Sequence, residues 1–388
     1  MIDLTSLRPR KVELPLVSVI VPCYNVEQYI DQCLNSILDN GYPNVEVICV
    51  DDHSTDSTVE HIQNLMKSHS NIQLYDNGTD HNIYGGACRN IGMEHAKGKY
   101  IYFCDSDDYI FPGLFKECVE RCESLNADIC CFKFKTRVDG RSFGLEFNAI
   151  HDKGAATFDY SGVENLYWFA GPQTWNKFYN REFVESIHAR YQPLKNSNDQ
   201  FFGIMCMSSA KRITALDKTF YFHRMNTKTS VQRDKQKGNN LGDVVSAIRA
   251  AHEYVSALPN AKGIRRHFDR YVQCELRYMN NNGFTITQKF VDDMRMCLKE
   301  IGCADDELVK MVMGQLESKG EVKEAFERLD SASPNGGEYD VIVSFATYSK
   351  RFSDDHIYEF LDGIVNQKTS LNYHIVANMW AQDYQNLP

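Results

Sequence analysis

A chain of 388 residues, 43% hydrophobic and 24% charged, is long enough to bury a sizeable core and to form more than one domain. Its formal net charge of −10 excludes a non-specific nucleic-acid binder, which needs a basic surface against the phosphates. A nucleotide can still be held if a metal ion supplies positive charge locally. No apolar run is long enough to cross a bilayer, and Asp3, Arg8, Arg10, Lys11 and Glu13 stand where a signal peptide would be apolar. The 13 cysteines are scattered, none as CxxC, and Cys49, Cys104, Cys130 and Cys131 sit within apolar runs as small hydrophobes. That usage fits a reducing compartment. The expected location is the cytoplasm, with peripheral association at the inner face of the membrane as a variant.

In chain order, Val17–Val21 is a β-branched strand followed by the turn signal Pro22-Cys-Tyr-Asn25. Helical spacing covers Val26–Leu38, and Val45–Val50 is a second strand ending on Asp51-Asp52. Ser57–Lys67 reads as a helix, Asn71–Tyr75 as a strand, Arg89–Ala96 as a helix and Tyr100–Cys104 as a strand running into Asp105-Ser-Asp-Asp108. Strands alternating with helices predict an α/β fold with a mostly parallel sheet covered on both faces. Such sheets bind ligands at the carboxyl ends of their strands, where each of these polar clusters falls. From Phe132 to about Tyr221 the pattern is mixed and aromatic. The amphipathic stretches Asp243–Leu258 and Ile264–Met279 then predict a helical region over 236–330, a surface on which the chain could pair with a second copy. Ser331–Gly337 is a linker signal, placing a linker at 331–338. Beyond it, a strand at Tyr339–Ser344, a helix at Asp355–Val365 and a strand at Tyr373–Ala377 repeat the opening order. One βαβ unit cannot bury both faces of a sheet, so 339–388 reads as the start of a second α/β domain. The alternative is a βαβ unit appended to the first domain.

Three clusters carry chemistry. Carboxylates as close as Asp105, Asp107 and Asp108 repel one another unless a cation or donors neutralise them, and hard oxygen ligands suit Mg²⁺ or Mn²⁺. The competing assignment is capping of a helix starting near Phe111-Pro112. In Asp51-Asp-His-Ser-Thr-Asp-Ser-Thr58 a strand-end carboxylate can accept from a nucleobase or ribose, while Asp56 or Ser57 caps the following helix. In Asn82-Ile-Tyr-Gly-Gly-Ala-Cys-Arg-Asn90 the glycines admit close approach of a ligand, and Arg89 offers a charged donor fork. No GxGxxG supports a dinucleotide-binding dehydrogenase.

Together, Val17–Asn25, Val50–Thr58, Ala87–Gly92 and Asp105–Asp108 resemble, in order and spacing, the family 2 glycosyltransferases of the GT-A fold, of the kind that build bacterial surface glycans. The resemblance runs from Leu16 to about Ser230 and assigns a GT-A domain to 1–235. It implies a nucleotide-sugar donor, most often a UDP-sugar, a glycan or lipid-linked acceptor, and inversion at the anomeric carbon. By the resemblance Pro22, Tyr24, Asn25, Asp51 and Asp52 line the nucleotide, and Arg89 lies close to it. Asp105 and Asp107 match the DxD motif that holds a divalent ion on the donor diphosphate, with Ser106 between them. Asn198-Asp199 matches the family's Glu-Asp position, whose Asp is the catalytic base; here Asn198 replaces the Glu. Asp199 is also the carboxylate that stands alone between Glu185 and Asp217, and its competing assignment is a helix cap. Trp175-Asn176-Lys177 resembles the segment before the acceptor half. His223 lies where relatives carry a metal-binding His, Arg224 where a side chain contacts phosphate, and Met225–Val231 where a flap closes over the donor. A His in an aromatic run is more often a satisfied core or surface residue than a ligand. The 339–388 unit resembles the start of a second such domain without a DxD. Competing function classes are a metal-dependent phosphoryl or nucleotidyl transferase, disfavoured by the absence of a P-loop, and a catalytically silent assembly module.

Overall fold

The computed structural model describes residues 14–138, 141–143, 157–163, 165–167, 171–224, 237–281, 284–318, 341–347 and 373–379, with backbone alone for 137–138, 141–143, 341–347 and 373–379. The anticipated flap at Met225–Val231, the linker at 331–338 and the helix at Asp355–Val365 lie outside the described residues.

The first half of the fold is built as the alternation predicts. Strands β1 (Val17–Cys23), β2 (Val45–Asp51), β3 (Ile72–Asp76) and β4 (Tyr100–Phe103) pair in parallel in the order β3-β2-β1-β4. Helices α1 (Ile30–Leu38), α2 (Thr58–Met66) and α3 (Tyr84–His95) connect them. Every residue of β2 is buried, as expected of a strand covered on both faces. Helix α3 lies so close on β1 that a Cβ on Gly92 would sit 2.4 Å from Ile20 Cγ2; only glycine fits there.

The second half is mixed. It comprises β5 (Tyr109–Ile110), α4 (Leu114–Leu125), β6 (Ile129–Val138), β7 (Arg141–Phe143), β8 (Lys177–Asn180), α5 (Arg181–Ser186), α6 (Asn198–Ser209) and β9 (Ile213–Arg224). Among the described residues nine strands join one sheet, ordered β3-β2-β1-β4-β8-β6-β9-β5 with β7 on β6. β8 runs antiparallel to β4 and β6, and β9 runs parallel to β6. This is the α/β architecture expected from the sequence, with a sheet that is parallel in its first half and mixed beyond it rather than mostly parallel throughout. The parallel β1–β4 pair brings the ends of β1, β2 and β4 to one edge, with the start of α6 and the end of β9 supplying further side chains there.

Two element boundaries differ from the sequence reading. Helix α1 begins at Ile30 rather than Val26: residues 27–29 form a turn on the Val26 carbonyl, and the N–H groups of Val26 and Glu27 donate to Thr58 Oγ1 and Asp56 Oδ2 at 2.8 and 3.1 Å. Helix α3 begins at Tyr84 rather than Arg89, because the Asp52 carboxylate, just after β2, caps it.

The chain divides into two compact units: Met1–Val231 with Ser246–Tyr271, and Gln232–Val245 with Val272–Pro388. The helical stretch at 236–330 is thus split, and α7 (Gly242–Ala257) and α8 (Ala261–Asn281) each contribute to both units. Within the first unit the reason is visible. Tyr254 hydroxyl pairs with Ser209 Oγ at 2.7 Å, His267 Nδ1 accepts Leu166 N–H at 3.1 Å, and Tyr271 donates to Gln200 Oε1 at 2.5 Å. In the second unit α9 (Gln288–Glu300) buries Phe290, Val291, Met294, Cys297 and Leu298, and a further helix spans 307–318. The same unit holds β10 (Val341–Thr347) and β11 (Tyr373–Met379), paired in parallel from Val341↔Tyr373 to Thr347↔Met379. The two strands predicted after the linker therefore form, and pair as a βαβ unit would require.

Candidate active site

Two neighbouring carboxylates at the end of β2 have different surroundings. Asp52 is 2% exposed, and its Oδ1 accepts from Asn77 Nδ2 at 2.7 Å and Ile83 N–H at 2.8 Å, while Oδ2 accepts from Tyr84 N–H at 2.8 Å. It fixes the start of α3, where Tyr84 is held at φ 69°, a left-handed conformation rare for a bulky residue. Asp51 Oδ2 accepts from Ser54 N–H at 3.1 Å, whereas its Oδ1 is buried without a hydrogen-bond partner. A buried acceptor left open in this way fits a donor group that arrives with a ligand.

The turn after β1 faces this segment. Asn25, at φ 51°, accepts from Thr55 N–H at 2.7 Å, and its own N–H donates to Ser54 Oγ at 3.0 Å. Asn tolerates the left-handed region, so the turn sequence suits the geometry. Pro22 is half-buried and Tyr24 is exposed at the strand end. Asp56, not Ser57, caps α2, accepting from Thr58 N–H at 3.0 Å and Oγ1 at 2.5 Å.

The acidic cluster after β4 separates into three roles. Asp105 is ion-paired through Oδ1 with the guanidinium of Arg89, at 27% and 9% side-chain exposure respectively. Asp108 is fully buried: Tyr221 hydroxyl donates to Oδ2 at 2.5 Å and Arg224 N–H to Oδ1 at 2.6 Å. Burial, then the charges of Asp107 and Asp105, push its carboxyl well above the usual range. Asp108 thus ties β9 to the cluster. Asp107 is half-buried, its backbone carbonyl accepting from Arg224, and Ser106 is buried between the two.

Arg89 links this cluster to α6. One guanidinium nitrogen bonds Asp105, and another donates to Asn198 Oδ1 at 3.0 Å. The charge is also 5.3 Å from the Tyr191 ring. Asp199, in the first turn of α6, acts on Arg89 electrostatically alongside Asp105 and Tyr191, so the guanidinium pKa is raised despite its burial. Close approach of α3 and α6 depends on Gly86, where a Cβ would sit 2.5 Å from Gln192 O and 2.8 Å from Asn198 Cβ.

β9 closes the site. His223 stacks on Trp175 with centroids 5.1 Å apart, and Trp175 stacks on Tyr221 at 4.6 Å. Burial lowers the His223 pKa, opposed by the Asp105 carboxylate, so its ring is neutral at neutral pH. The Arg224 guanidinium reaches the Asp107 carbonyl and Gln32, over the rings of Tyr29 at 4.9 Å and Tyr109 at 5.2 Å.

A divalent ion held by protein needs hard oxygen donors that converge. Among the described residues no group of three His, Cys, Asp or Glu side chains converges as a metal cage. Asp105 and Asp107 remain two hard oxygen donors, enough for an ion that completes its shell with water and phosphate. Asp108, committed to Tyr221 and Arg224, does not fit that role.

The geometry thus gathers Asp51, Asp105, Arg89, Asn198 and Arg224, with Asp199 beside them. Asn77, Tyr221 and Gln32, which tie the cluster together, carry no local sequence signal, because each acts across long separations. Of the described helices none is long and apolar enough to cross a membrane.

The chain is similar in sequence and fold to known proteins. Residues 18–183 match the family model described as Glycosyl transferase family 2. The chain is 30% identical over 222 residues to the uncharacterized glycosyltransferase EpsJ of Bacillus subtilis, covering 55% of this chain and 62% of that protein. It is 26% identical over 288 residues to the poly(ribitol-phosphate) beta-N-acetylglucosaminyltransferase TarS of Staphylococcus aureus, covering 71% of this chain and 47% of TarS. The chain therefore spans less than two thirds of either relative. The crystal structure of S. aureus TarS 1–349 in complex with UDP-GlcNAc superposes with TM-score 0.65 at 21% identity, covering 80% of this chain and 91% of that one.

Proposed function

With residues 18–183 a family 2 glycosyltransferase domain, we propose that the chain transfers a sugar from a UDP-sugar to a hydroxyl of a glycan or lipid-linked glycan, with inversion at the anomeric carbon. The observation that carries this reading is the Arg89 bridge, which sets a diphosphate-type carboxylate, Asp105, beside the helix that begins Asn198-Asp199. Binding of UDP-GlcNAc by the structurally similar TarS supports the choice of donor.

Each residue then has a task. Asp51 Oδ1 accepts an N–H of the base, and Pro22, Tyr24 and Asn25 wall that pocket, while Asp52 holds its floor. Asp105 and Asp107 would hold Mn²⁺ or Mg²⁺, which when bound neutralises the charge of the departing diphosphate. His223, neutral and within electrostatic reach of Asp105, is a further ligand in this reading. Arg224 and Arg89 orient and screen the phosphates. Asp199 takes the proton of the acceptor hydroxyl as its oxygen bonds to the anomeric carbon and the bond to the diphosphate oxygen breaks.

Incubation with UDP-GlcNAc, UDP-glucose and UDP-galactose with Mn²⁺, with water as acceptor, tests the class of reaction. Release of UDP is expected; release of pyrophosphate, or no release from any donor, rejects the proposal.

A further inference from the structure

Trp175, two residues before β8, is 8% exposed and has no task in the proposed transfer. Its surroundings join three strands. The Tyr102 hydroxyl of β4 donates to its backbone carbonyl at 2.9 Å, and Phe134 of β6 meets its ring edge-on with centroids 4.5 Å apart. From β9, Tyr221 and His223 both stack on the indole, at 4.6 and 5.1 Å and interplanar angles of 11° and 16°. These two are one residue apart on the strand, so their side chains share a face of the sheet. One indole is therefore a common platform for both, and aromatic pairs fix orientation as well as burying area.

The Tyr221 hydroxyl carries that order into the acidic cluster. It accepts the backbone N–H of Asp105 at 3.3 Å and donates its proton to Asp108 Oδ2 at 2.5 Å, so its donor and a lone pair are both committed to the loop after β4. Asp108 Oδ1 takes the Arg224 N–H at 2.6 Å, which fastens the end of β9 to the same loop. The path from the indole to Asp105 thus runs through one ring stack and one hydrogen bond. The loop it holds presents Asp105 to Arg89 and leaves Asp107 half-buried nearby.

We infer that Trp175 is a positioning residue for the diphosphate side of the site. Its indole sets the Tyr221 ring, whose hydroxyl holds the Asp105–Asp108 loop in the shape that receives the donor diphosphate, and it fixes the His223 imidazole next to Arg224. The path from ring to loop stands on geometry; that the loop receives a diphosphate rests on the functional reading above. A tryptophan that only filled the core would, on removal, weaken every part of the site alike. A platform for Tyr221 weakens the loop and spares the base pocket at Asp51.

Two measurements test this. In the first, hydrogen exchange of the Asp105 amide is followed by NMR in the ligand-free chain. Trp175→Leu, which keeps an apolar side chain but cannot stack, should speed it about tenfold relative to amides in the middle of β1. Trp175→Phe, which keeps a ring, should recover most of the protection, and Trp175→Met is the reserve variant if Trp175→Leu does not fold. Unchanged exchange without the ring overturns the path, as does a Trp175→Phe chain no better protected than Trp175→Leu. In the second, UDP with Mn²⁺ is titrated by calorimetry and uridine alone by NMR. Trp175→Leu should weaken UDP with Mn²⁺ about tenfold, the equivalent of one aromatic pair, and leave uridine unchanged. Tyr221→Phe should act likewise, and Trp175→Leu added to it should cost clearly less than it does alone, because the two share one path. Fully additive losses, or a loss shared equally by uridine, show a merely structural tryptophan and overturn the inference. If the wild-type chain binds neither uridine nor UDP, the functional reading fails, and the exchange measurement decides the positioning by itself.

Discussion

Asp52 uses both carboxylate oxygens on Asn77, Ile83 and Tyr84, whereas Asp51 keeps one buried oxygen without a partner. Their substitutions should separate stability from binding. Asp52→Ala leaves buried donors unsatisfied and should cost on the order of 3 kcal/mol in chemical denaturation. Asp51→Asn keeps an acceptor for Ser54 but turns a donor toward the ligand. UDP affinity, measured by calorimetry, should fall about tenfold or more with stability little altered. The reverse pattern would exchange the two assignments. Asp199→Asn should leave UDP binding intact and reduce transfer by about 10²–10⁴-fold; retained turnover moves the base elsewhere. Lys177 gives a signed pH effect on stability. Burial holds its folded pKa at about 8, below the ordinary 10.5, so between these values the folded chain binds fewer protons than the unfolded one. Stability of the wild-type chain relative to Lys177→Met should therefore rise across that window, by on the order of 3 kcal/mol. A flat difference would mean that the amine titrates normally. Taking the difference removes the buried thiols, such as Cys131 and Cys206, whose values raised by burial act in the opposite sense.

At the level of elements, the junction of α3 with α6 is where the two halves of the site meet. Gly86→Val would drive a side chain into Gln192 O and Asn198, moving the start of α6 away from Arg89. The expected result is a loss of kcat larger than any change in donor KM, because Asp51, Asp105 and Arg224 stay in place; a variant that loses UDP binding first would contradict it. The same junction shows what was legible in the sequence. β1, β2 and β4 could be read as apolar runs ending on polar clusters, because burial on both faces leaves an uninterrupted hydrophobic signature. The start of α3 could not, because its cap is Asp52, which follows β2 and lies 32 residues before Tyr84. Arg89 and Asn198 are 109 residues apart, and no local pattern announces their contact. Asp105 and Asp107 were visible as a pair, but the diversion of Asp108 to Tyr221 depends on β9 running beside β6. Residue types at strand ends carry the chemistry; which carboxylate is left open is decided by long-range packing.

Across the whole molecule, the residues assigned to the site fall between Pro22 and Arg224, all within the unit formed by Met1–Val231 and Ser246–Tyr271. α7 and α8 lend that unit Tyr254, His267 and Tyr271, and Tyr271 reaches Gln200, the neighbour of Asp199. The helices that follow the sheet thus brace the start of α6, and Tyr271→Phe should lower kcat modestly through α6 while sparing UDP affinity. The strands β10 and β11 belong to the other unit and supply none of these contacts. Ending the chain after residue 330 should leave UDP release from the wild-type site essentially unchanged. Side-by-side rates of UDP release by the two chains would measure this. A large loss of kcat on shortening would place residues 331–388 in support of the site, and would make the second α/β unit a working part of the first.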